Sequence, residues 1–238
     1  MSYTVVIANH KGGVGKTTTA VSLGVEWRSR GLSVLVVDTD FPQHHVVTWL
    51  GLASELGLLD KAPVVRAMPA ATLAKQLRKV GDGFDLVIVD TPPRQPEVQA
   101  AAVAMADLIV VPTGSQAQEM WALYDTAELV RAERKRRPAC VAAALLTRWN
   151  GATVMGRHAA AAIAEVGLPT LEARCSYRVD YAYAFAAGLG VTEYAPKSEA
   201  AREVRQLATE LEELADGGIP ERGEALDTQA LRAVEVRP

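Results

Sequence analysis

A glycine-rich segment near the start of the sequence carries the residue types that bind phosphate. Residues 10–18 read HKGGVGKTT. Glycines let successive backbone N–H groups point at phosphate oxygens, Lys16 adds a positive charge, and the hydroxyl of Thr17 can reach a bound Mg²⁺. The segment therefore predicts a loop that binds a nucleotide with magnesium, and its predicted binding residues are Lys11, Gly12, Gly13, Val14, Gly15, Lys16, Thr17 and Thr18.

Two groups of carboxylates could complete such a site. Asp38 and Asp40 follow one apolar run in the segment DTDFPQ, and Asp90 ends another in FDLVIVD before a Thr-Pro-Pro turn. Mg²⁺ prefers hard oxygen ligands, and a water that attacks a terminal phosphate must be oriented. Both groups have the chemistry for these tasks. The adjacent His44 and His45 are instead expected to lie in a loop or at the start of a helix.

The elements around these residues alternate in type. Apolar, β-branched runs predict strands at 3–8, 33–37, 63–65, 86–89, 108–111 and 141–146, with a short extended piece at 169–173. Helical spacing predicts helices at 17–29, 70–80, 116–137, 152–165 and 198–214. This alternation predicts an α/β fold with a doubly wound, mostly parallel sheet flanked by helices. The glycine-rich loop then lies at the ligand-binding edge of that sheet.

Composition limits the class of protein. The 238 residues carry a formal net charge of −3 and two cysteines, Cys140 and Cys175, which are too few for a disulfide framework and are expected to be packed thiols. Neither a secretion signal nor an apolar run long enough to span a bilayer is visible, so a cytoplasmic protein is expected. We expect a single domain over residues 1–215 and a linker or tail over 216–238, with at most a marginal helix.

The segment KGGVGKTT, with His10 where the standard pattern has glycine, resembles the deviant phosphate loop of the ParA/MinD family of ATPases. ADLIVVPTGSQAQEMWAL and AAGLGVTEYAPKSEAAREVRQLATEL also resemble segments of that family, so the resemblance covers roughly residues 3–215. It implies an ATPase that uses ATP and Mg²⁺ and forms a homodimer when ATP is bound. It also implies that Lys11 reaches across the dimer interface to the partner's phosphates, acting with Lys16 in catalysis.

The same resemblance assigns the carboxylates. Asp90 matches the aspartate that holds the metal's water shell, and DTDFPQ resembles the family pattern D-x-D-P-Q, whose second aspartate, here Asp40, assists hydrolysis. Asp38 is then expected to support the metal with Asp40, Asp90 and Thr17. Phe41 is inserted relative to that pattern, so this loop cannot follow the family's path residue for residue. Pro196 is expected to help enclose adenine, and the absence of an NKxD motif favours ATP over GTP.

A basic stretch is a further candidate for function. Residues 131–178 contain nine basic and three acidic side chains, an asymmetry typical of a surface that contacts nucleic-acid phosphates without reading bases. Arg148, Arg157, Arg174 and Arg178 resemble the region of the family fold that meets nonspecific double-stranded DNA. The run at 134–137 is better explained as a solvated, basic helix end.

The resemblance, together with the basic stretch, implies a slow, partner-stimulated ATPase that binds DNA and the nucleoid, and that segregates or positions a plasmid, chromosome or other large cargo. A ParB-like or cargo-adaptor protein is the expected activator. The sequence starts at the first strand without a helix-turn-helix segment, which resembles the short type of partition ATPase. A MinD-like membrane-associated ATPase and an ATP-dependent metabolic synthetase remain alternatives, although the tail at 224–238 has only a weak apolar stripe. A regulatory kinase is a less suitable alternative, because the sequence lacks the tyrosine-rich tail of such enzymes. Tyr177, Tyr181 and Tyr183 are instead expected to be packed.

Overall fold

In a computed structural model, a parallel β-sheet forms the centre of the molecule. The structure describes residues 2–220, and at Ala117 and Met120 it describes the backbone alone. Within that range the sheet has seven strands in the order β3-β2-β4-β1-β5-β6-β7. Their bounds are β1 Tyr3–Ile7, β2 Val34–Asp38, β3 Val64–Ala67, β4 Leu86–Asp90, β5 Leu108–Thr113, β6 Val141–Trp149 and β7 Thr170–Ser176. The inner strands β2, β4 and β5 are buried along their whole length, because helices cover both faces of the sheet. That is why they read as continuous apolar runs.

Helices follow the strands and return the chain to the start of the next strand. Their bounds are α1 Lys16–Ser29, α2 His45–Glu55, α3 Ala70–Val80, α4 Pro96–Val103, α5 Ala117–Arg136, α6 Val154–Glu165, α7 Val179–Ala186, α8 Val191–Tyr194 and α9 Glu199–Leu214. Residues of α1, α2 and α9 form the apolar core on one face of the sheet. Residues of α3, α4, α5 and α6 form the core on the other face. The expected doubly wound α/β architecture is confirmed.

The C-terminal helix α9 is fixed to α1 by polar contacts at the rim of the first core. Trp27 is fully buried and its indole N–H donates a 2.9 Å hydrogen bond to Glu212. Arg30 forms ion pairs with Glu26 and Glu212 at 2.9 and 2.8 Å. These contacts join α9 to the C-terminal end of α1, the end opposite to the glycine-rich loop.

The chain stays packed beyond the domain boundary expected at residue 215. Ile219 is 3 % exposed and belongs to the core that contains α1 and α9. The remainder of the expected tail, residues 221–238, lies outside the described residues. Across residues 2–220, none of the helices combines the length and apolarity needed to cross a bilayer.

Candidate nucleotide-binding site

The glycine-rich loop connects β1 to α1 at the carboxyl edge of the sheet. Gly13 and Gly15 have φ angles of 75° and 87°, a left-handed region that costs other residues energy and that glycine enters freely. Gly15 is the N-cap of the 14-residue helix α1, and Lys16 is its first residue. The N-terminal N–H groups and the positive end of the helix dipole therefore face the loop, which is the arrangement that binds phosphate.

Lys16 lies inside the loop. It is 6 % exposed, and its ammonium group donates a 2.9 Å hydrogen bond to the carbonyl oxygen of Lys11. Burial lowers the pKa of Lys16, and the nearby charges of Asp90 and Asp40 act in the opposite direction. An anion at this position would satisfy the remaining ammonium donors and offset the cost of burying the charge.

Asp90 ends β4 directly opposite the start of α1. The hydroxyl of Thr17 donates a 2.7 Å hydrogen bond to Asp90 Oδ2, while Oδ1 is buried and accepts no hydrogen bond from any residue between 2 and 220. Burial raises the pKa of Asp90 to about 7. An unsatisfied buried carboxylate oxygen is costly. A magnesium ion with its water shell would satisfy that oxygen, so Thr17 and Asp90 have the donor chemistry that such an ion requires.

Asp38 and Asp40 lie only two residues apart but face different surroundings. Asp38 Oδ1 accepts from the backbone N–H of Asp40 at 2.9 Å, and Oδ2 accepts from the N–H groups of Val46 and Val47 at 2.9 and 3.2 Å. Oδ2 thereby binds the first turn of α2, whereas Oδ1 holds the turn before that helix. The fully buried carboxylate of Asp38 thus holds the backbone in place, and its assignment to the metal stays a prediction.

Asp40 does line the cavity above the loop. Its Oδ2 lies 3.7 Å from Nδ1 of His45, the first residue of α2. The inserted Phe41 is 37 % exposed and packs edge-on against His44 with ring centroids 4.1 Å apart. The turn after Asp40 is thus fixed on both sides, and the carboxylate stays at the cavity despite the extra residue.

The cavity has a volume of about 650 Å³. One side consists of the glycine-rich loop and the first turns of α1, and the other side consists of the end of β6 and residues 175–186. The second wall includes Tyr181 and Phe185, which sequence reasoning did not assign to a site. Tyr177 and Tyr183 are 75 % and 58 % exposed, so the expectation that they are packed is wrong. Pro196 is exposed and lies outside the lining.

The four arginines expected to contact DNA fall into two pairs. Arg148 and Arg178 line the cavity, where each is held by a buried glutamate, Glu119 and Glu203 respectively. Arg157 is exposed on α6. Arg174 lies 4.7 Å above the ring of Trp149, outside the cavity. Charge patterning cannot show which arginines line a cavity, so the sequence analysis placed all four in one group.

Lys11 lies at the outer side of the loop. Its backbone N–H donates to Asn9 Oδ1 at 2.8 Å, and its carbonyl accepts from Lys16. Within the described part of the chain, no hydrogen bond or ion pair involves its ammonium group, and it does not line the cavity of its own chain. The loop therefore holds the backbone of half-buried Lys11.

Comparisons with known proteins identify the family of this chain. A family model described as an AAA domain matches residues 2–58 and 52–137. Chromosome-partitioning ATPase Soj of Thermus thermophilus is 30 % identical over 87 % of this chain and 94 % of its own length. Maintenance of carboxysome distribution protein A of Gloeobacter kilaueensis is 33 % identical over 87 % and 93 %. The septum site-determining protein MinD of Pyrococcus horikoshii, solved with Mg-ADP, superposes with a TM-score of 0.74 at 18 % identity, covering 92 % of this chain and all of that one. The chain belongs to the ParA/MinD type of P-loop ATPases.

Proposed function

We propose that this protein is a nucleotide-controlled positioning ATPase. Mg-ATP binds in the cavity, the ATP-bound chain forms a homodimer that holds nonspecific duplex DNA, and a cargo-bound partner stimulates hydrolysis. The observation that carries the proposal is the Thr17–Asp90 pair with its unsatisfied Oδ1 beside the buried Lys16. The names of the relatives, a chromosome-partitioning ATPase and a carboxysome-distribution protein, support the positioning role.

The residues of the site divide the chemistry between them. Backbone N–H groups from Gly12 to Thr18 and the Lys16 ammonium group bind the phosphates. The Thr17 hydroxyl and the Asp90 carboxylate hold the magnesium ion and its water, and the ion when bound neutralises phosphate charge. Asp40, 6 % exposed at the cavity, orients the attacking water. Phosphoryl transfer to water depends mainly on such positioning and charge neutralisation.

A second copy of the chain completes the site. The Lys11 ammonium group is not part of the lining of its own cavity, and we assign it to the phosphates of a partner copy. From a second copy facing the loop, it would bring another positive charge to the terminal phosphate. A charge supplied in trans makes hydrolysis depend on dimerisation, in the same way that an arginine finger does.

The DNA surface is proposed on α6 and the outer edge of the sheet. Arg157 is exposed at the start of α6, and Arg174 extends along Trp149 nearby. By contrast, Arg136 and Arg137 at the end of α5 both pair with Glu133, which leaves less charge free for phosphates. Contacts of this kind give affinity that depends on salt and not on sequence.

The test measures ATP hydrolysis and DNA binding together. We expect affinity for random duplex DNA to need ATP, to fall as salt rises, and to drop in Arg157→Glu but not in Arg78→Glu, an exposed arginine on α3. Nucleotide affinity should be the same in both variants. Salt-independent DNA binding, or none with ATP, would contradict the DNA role. Rapid ATP turnover without DNA or a protein partner would instead favour a metabolic synthetase on the same fold.

A further inference from the structure

The segment after β4 is fixed to the end of β1. The hydroxyl of Thr91 donates a 2.8 Å hydrogen bond to the carbonyl oxygen of Ile7. The side-chain amide of fully buried Gln99 donates to the carbonyl oxygens of Asn9 and Pro92 at 3.1 and 2.7 Å. This segment is therefore bound to the strand that leads into the phosphate loop.

Arg94 continues this segment with an unusual backbone conformation. Its φ angle is 56°, in the left-handed region that is uncommon for any residue other than glycine. Pro92 and Pro93 have no backbone N–H. The N–H of Arg94 is the first donor after them, and it donates a 3.1 Å hydrogen bond to the carbonyl oxygen of His10. Backbone outliers of this kind persist where surrounding contacts impose them, and they cluster at functional sites.

The guanidinium group of Arg94 has no partner among residues 2–220. Arg94 is exposed, and no hydrogen bond or ion pair within that range involves its side chain. Exposed Glu97 lies three positions further on, in the first turn of α4, and forms no ion pair with it. Pro93 lines the nucleotide cavity, whereas Arg94 does not. A cation without a partner in the described chain therefore follows directly after a residue of the cavity wall.

Arg94 shares this rim of the cavity with Lys11. Its N–H is bonded to His10, the residue directly before Lys11, and Lys11 is likewise absent from the lining of its own cavity. In a two-fold dimer the same surface of each copy meets its equivalent. The dimer proposed above turns Lys11 toward the partner, so the neighbouring Arg94 faces the partner too.

The charge of this rim calls for an anion. Lys11 and Arg94 are both positively charged, and a two-fold dimer would bring these groups together from both copies. Like charges that face each other across an interface repel. A terminal phosphate in each cavity supplies compensating negative charge, and a guanidinium group can bind phosphate oxygens through several N–H groups at once.

We propose that Arg94 binds the terminal phosphate of the nucleotide held by a partner copy, beside Lys11. This inference rests on the proposed function, because it needs an ATP-bound dimer. During hydrolysis the oxygen of water bonds to the terminal phosphorus, the bond from that phosphorus to the bridging oxygen breaks, and ADP, inorganic phosphate and a proton are released. Arg94 stays protonated throughout, and its charge stabilises the phosphoryl oxygens and the leaving ADP.

Single variants test whether the reaction needs this charge. We expect Arg94→Ala to weaken the ATP-dependent dimer seen by light scattering and to lower ATP hydrolysis at least about tenfold. Its affinity for Mg-ADP, measured by calorimetry, should equal that of wild type, because ADP lacks the terminal phosphate. Arg94→Lys keeps the charge and should retain more of both properties than Arg94→Ala. Arg78→Ala, at an exposed position of α3, should match wild type throughout.

Arg94→Gly separates the charge from the backbone conformation. Glycine enters the left-handed region freely, so this variant should unfold at a temperature no lower than Arg94→Ala. It should still lose dimerisation and hydrolysis to the same extent. Normal hydrolysis in Arg94→Gly would show that the side chain is not needed, and the proposal would be wrong.

Mixed dimers show which copy donates Arg94. When Arg94→Ala is mixed with Asp40→Ala before ATP is added, ATP on the Arg94→Ala chain meets its own Asp40 and the partner's Arg94. Hydrolysis should then return to about a quarter of the wild-type rate, since about half of randomly formed dimers are mixed and one of their two sites is complete. Mixing Arg94→Ala with Lys11→Ala should restore nothing, because every site then lacks one of the donated cations.

The opposite pattern has a definite meaning. Restoration with Lys11→Ala and none with Asp40→Ala would show that Arg94 acts on the nucleotide of its own chain, which would overturn the proposal. Normal dimerisation and hydrolysis in Arg94→Ala would overturn it too, as would a loss confined to DNA affinity at saturating ATP. If wild type forms no dimer with ATP, the proposed function itself fails, and that result is distinct from a failure of Arg94 alone.

Discussion

The hydroxyl of Thr17 and the carboxylate of Asp90 are hydrogen-bonded at 2.7 Å across the carboxyl edge of the sheet. This contact joins the first turn of α1 to the last residue of β4. The two residues are 73 positions apart in the sequence. The parallel register that pairs Ile7 with Asp90 brings them together. The pairing of the strands thus fixes the relative position of these two groups.

Replacing Thr17 by valine should remove the magnesium contribution to nucleotide binding. Valine keeps the shape of threonine but has no hydroxyl, so it can neither reach the ion nor donate to Asp90. Adding Mg²⁺ should increase the ADP affinity of both proteins by a certain factor. We expect this factor to be at least about tenfold larger for wild type than for Thr17→Val, a difference of about 1.4 kcal/mol. Thr17→Ser, which keeps the hydroxyl, should behave as wild type in the same calorimetric titrations with and without Mg²⁺.

The two lysines of the loop should fail in different ways. Lys16→Ala removes a buried ammonium group that faces the phosphates, and we expect nucleotide affinity to fall at least about 100-fold, or roughly 2.7 kcal/mol. Lys11→Ala leaves the contact of Lys11 with Lys16 intact, because that contact is made by the backbone carbonyl of Lys11.

Nucleotide binding in Lys11→Ala should therefore be retained, while ATP-dependent dimerisation and hydrolysis are lost. Size-exclusion chromatography with light scattering would report the dimer, and calorimetry the binding. If Lys11→Ala dimerises and hydrolyses ATP normally, the proposed contribution in trans is wrong.

The burial of Glu193 predicts a pH dependence of stability. Burial raises the pKa of this carboxyl from 4.5 to about 6, and its Oε2 has no hydrogen-bond partner among residues 2–220. A carboxyl with a raised pKa in the folded state favours folding only while it is protonated. Its contribution is therefore lost as pH rises from about 4.5 through about 6. After allowance for partial exposure we expect roughly 1 kcal/mol.

Glu193→Gln should consequently unfold at a higher temperature than wild type at pH 8, and the difference should disappear near pH 4.5. Glu213→Gln changes a neighbouring exposed acid and serves as the matched control, with no pH-dependent difference. A constant difference between Glu193→Gln and wild type at all pH values would show that the effect comes from packing and not from ionisation.

Much of the fold follows from local pattern. The buried strands are continuous apolar runs because both faces of the sheet are covered, and helix α3 occupies 70–80 as its spacing predicts. The short helices α7 and α8 were not predicted. Val191–Tyr194 has only four residues, too few for a periodic pattern, and its position depends on packing against α9 and α1.

The site was predictable where the backbone itself carries the chemistry, as in the glycine-rich loop. Side-chain assignment was harder. Asp38 and Asp40 have the same chemistry in sequence, and only the turn into α2 decides that the first caps the helix while the second lines the cavity. Likewise, the partner of Arg148 is Glu119, 29 positions away, and no local pattern encodes such a contact. Long-range partners therefore decide which charged groups face the ligand.

Replacing Asp40 by alanine should separate ATP binding from hydrolysis. Asp40 makes none of the contacts that hold the loop, since Lys16 is bound to the Lys11 carbonyl and Thr17 to Asp90. Asp40→Ala should therefore bind ATP and dimerise. Loss of the group that orients water should lower the hydrolysis rate at least about 100-fold, and the ATP-bound dimer should accumulate. His45→Gln, which changes the neighbour at 3.7 Å, is the matched control and should retain hydrolysis. Light scattering combined with a phosphate-release assay would measure both properties, and full activity in Asp40→Ala would remove this residue from the mechanism.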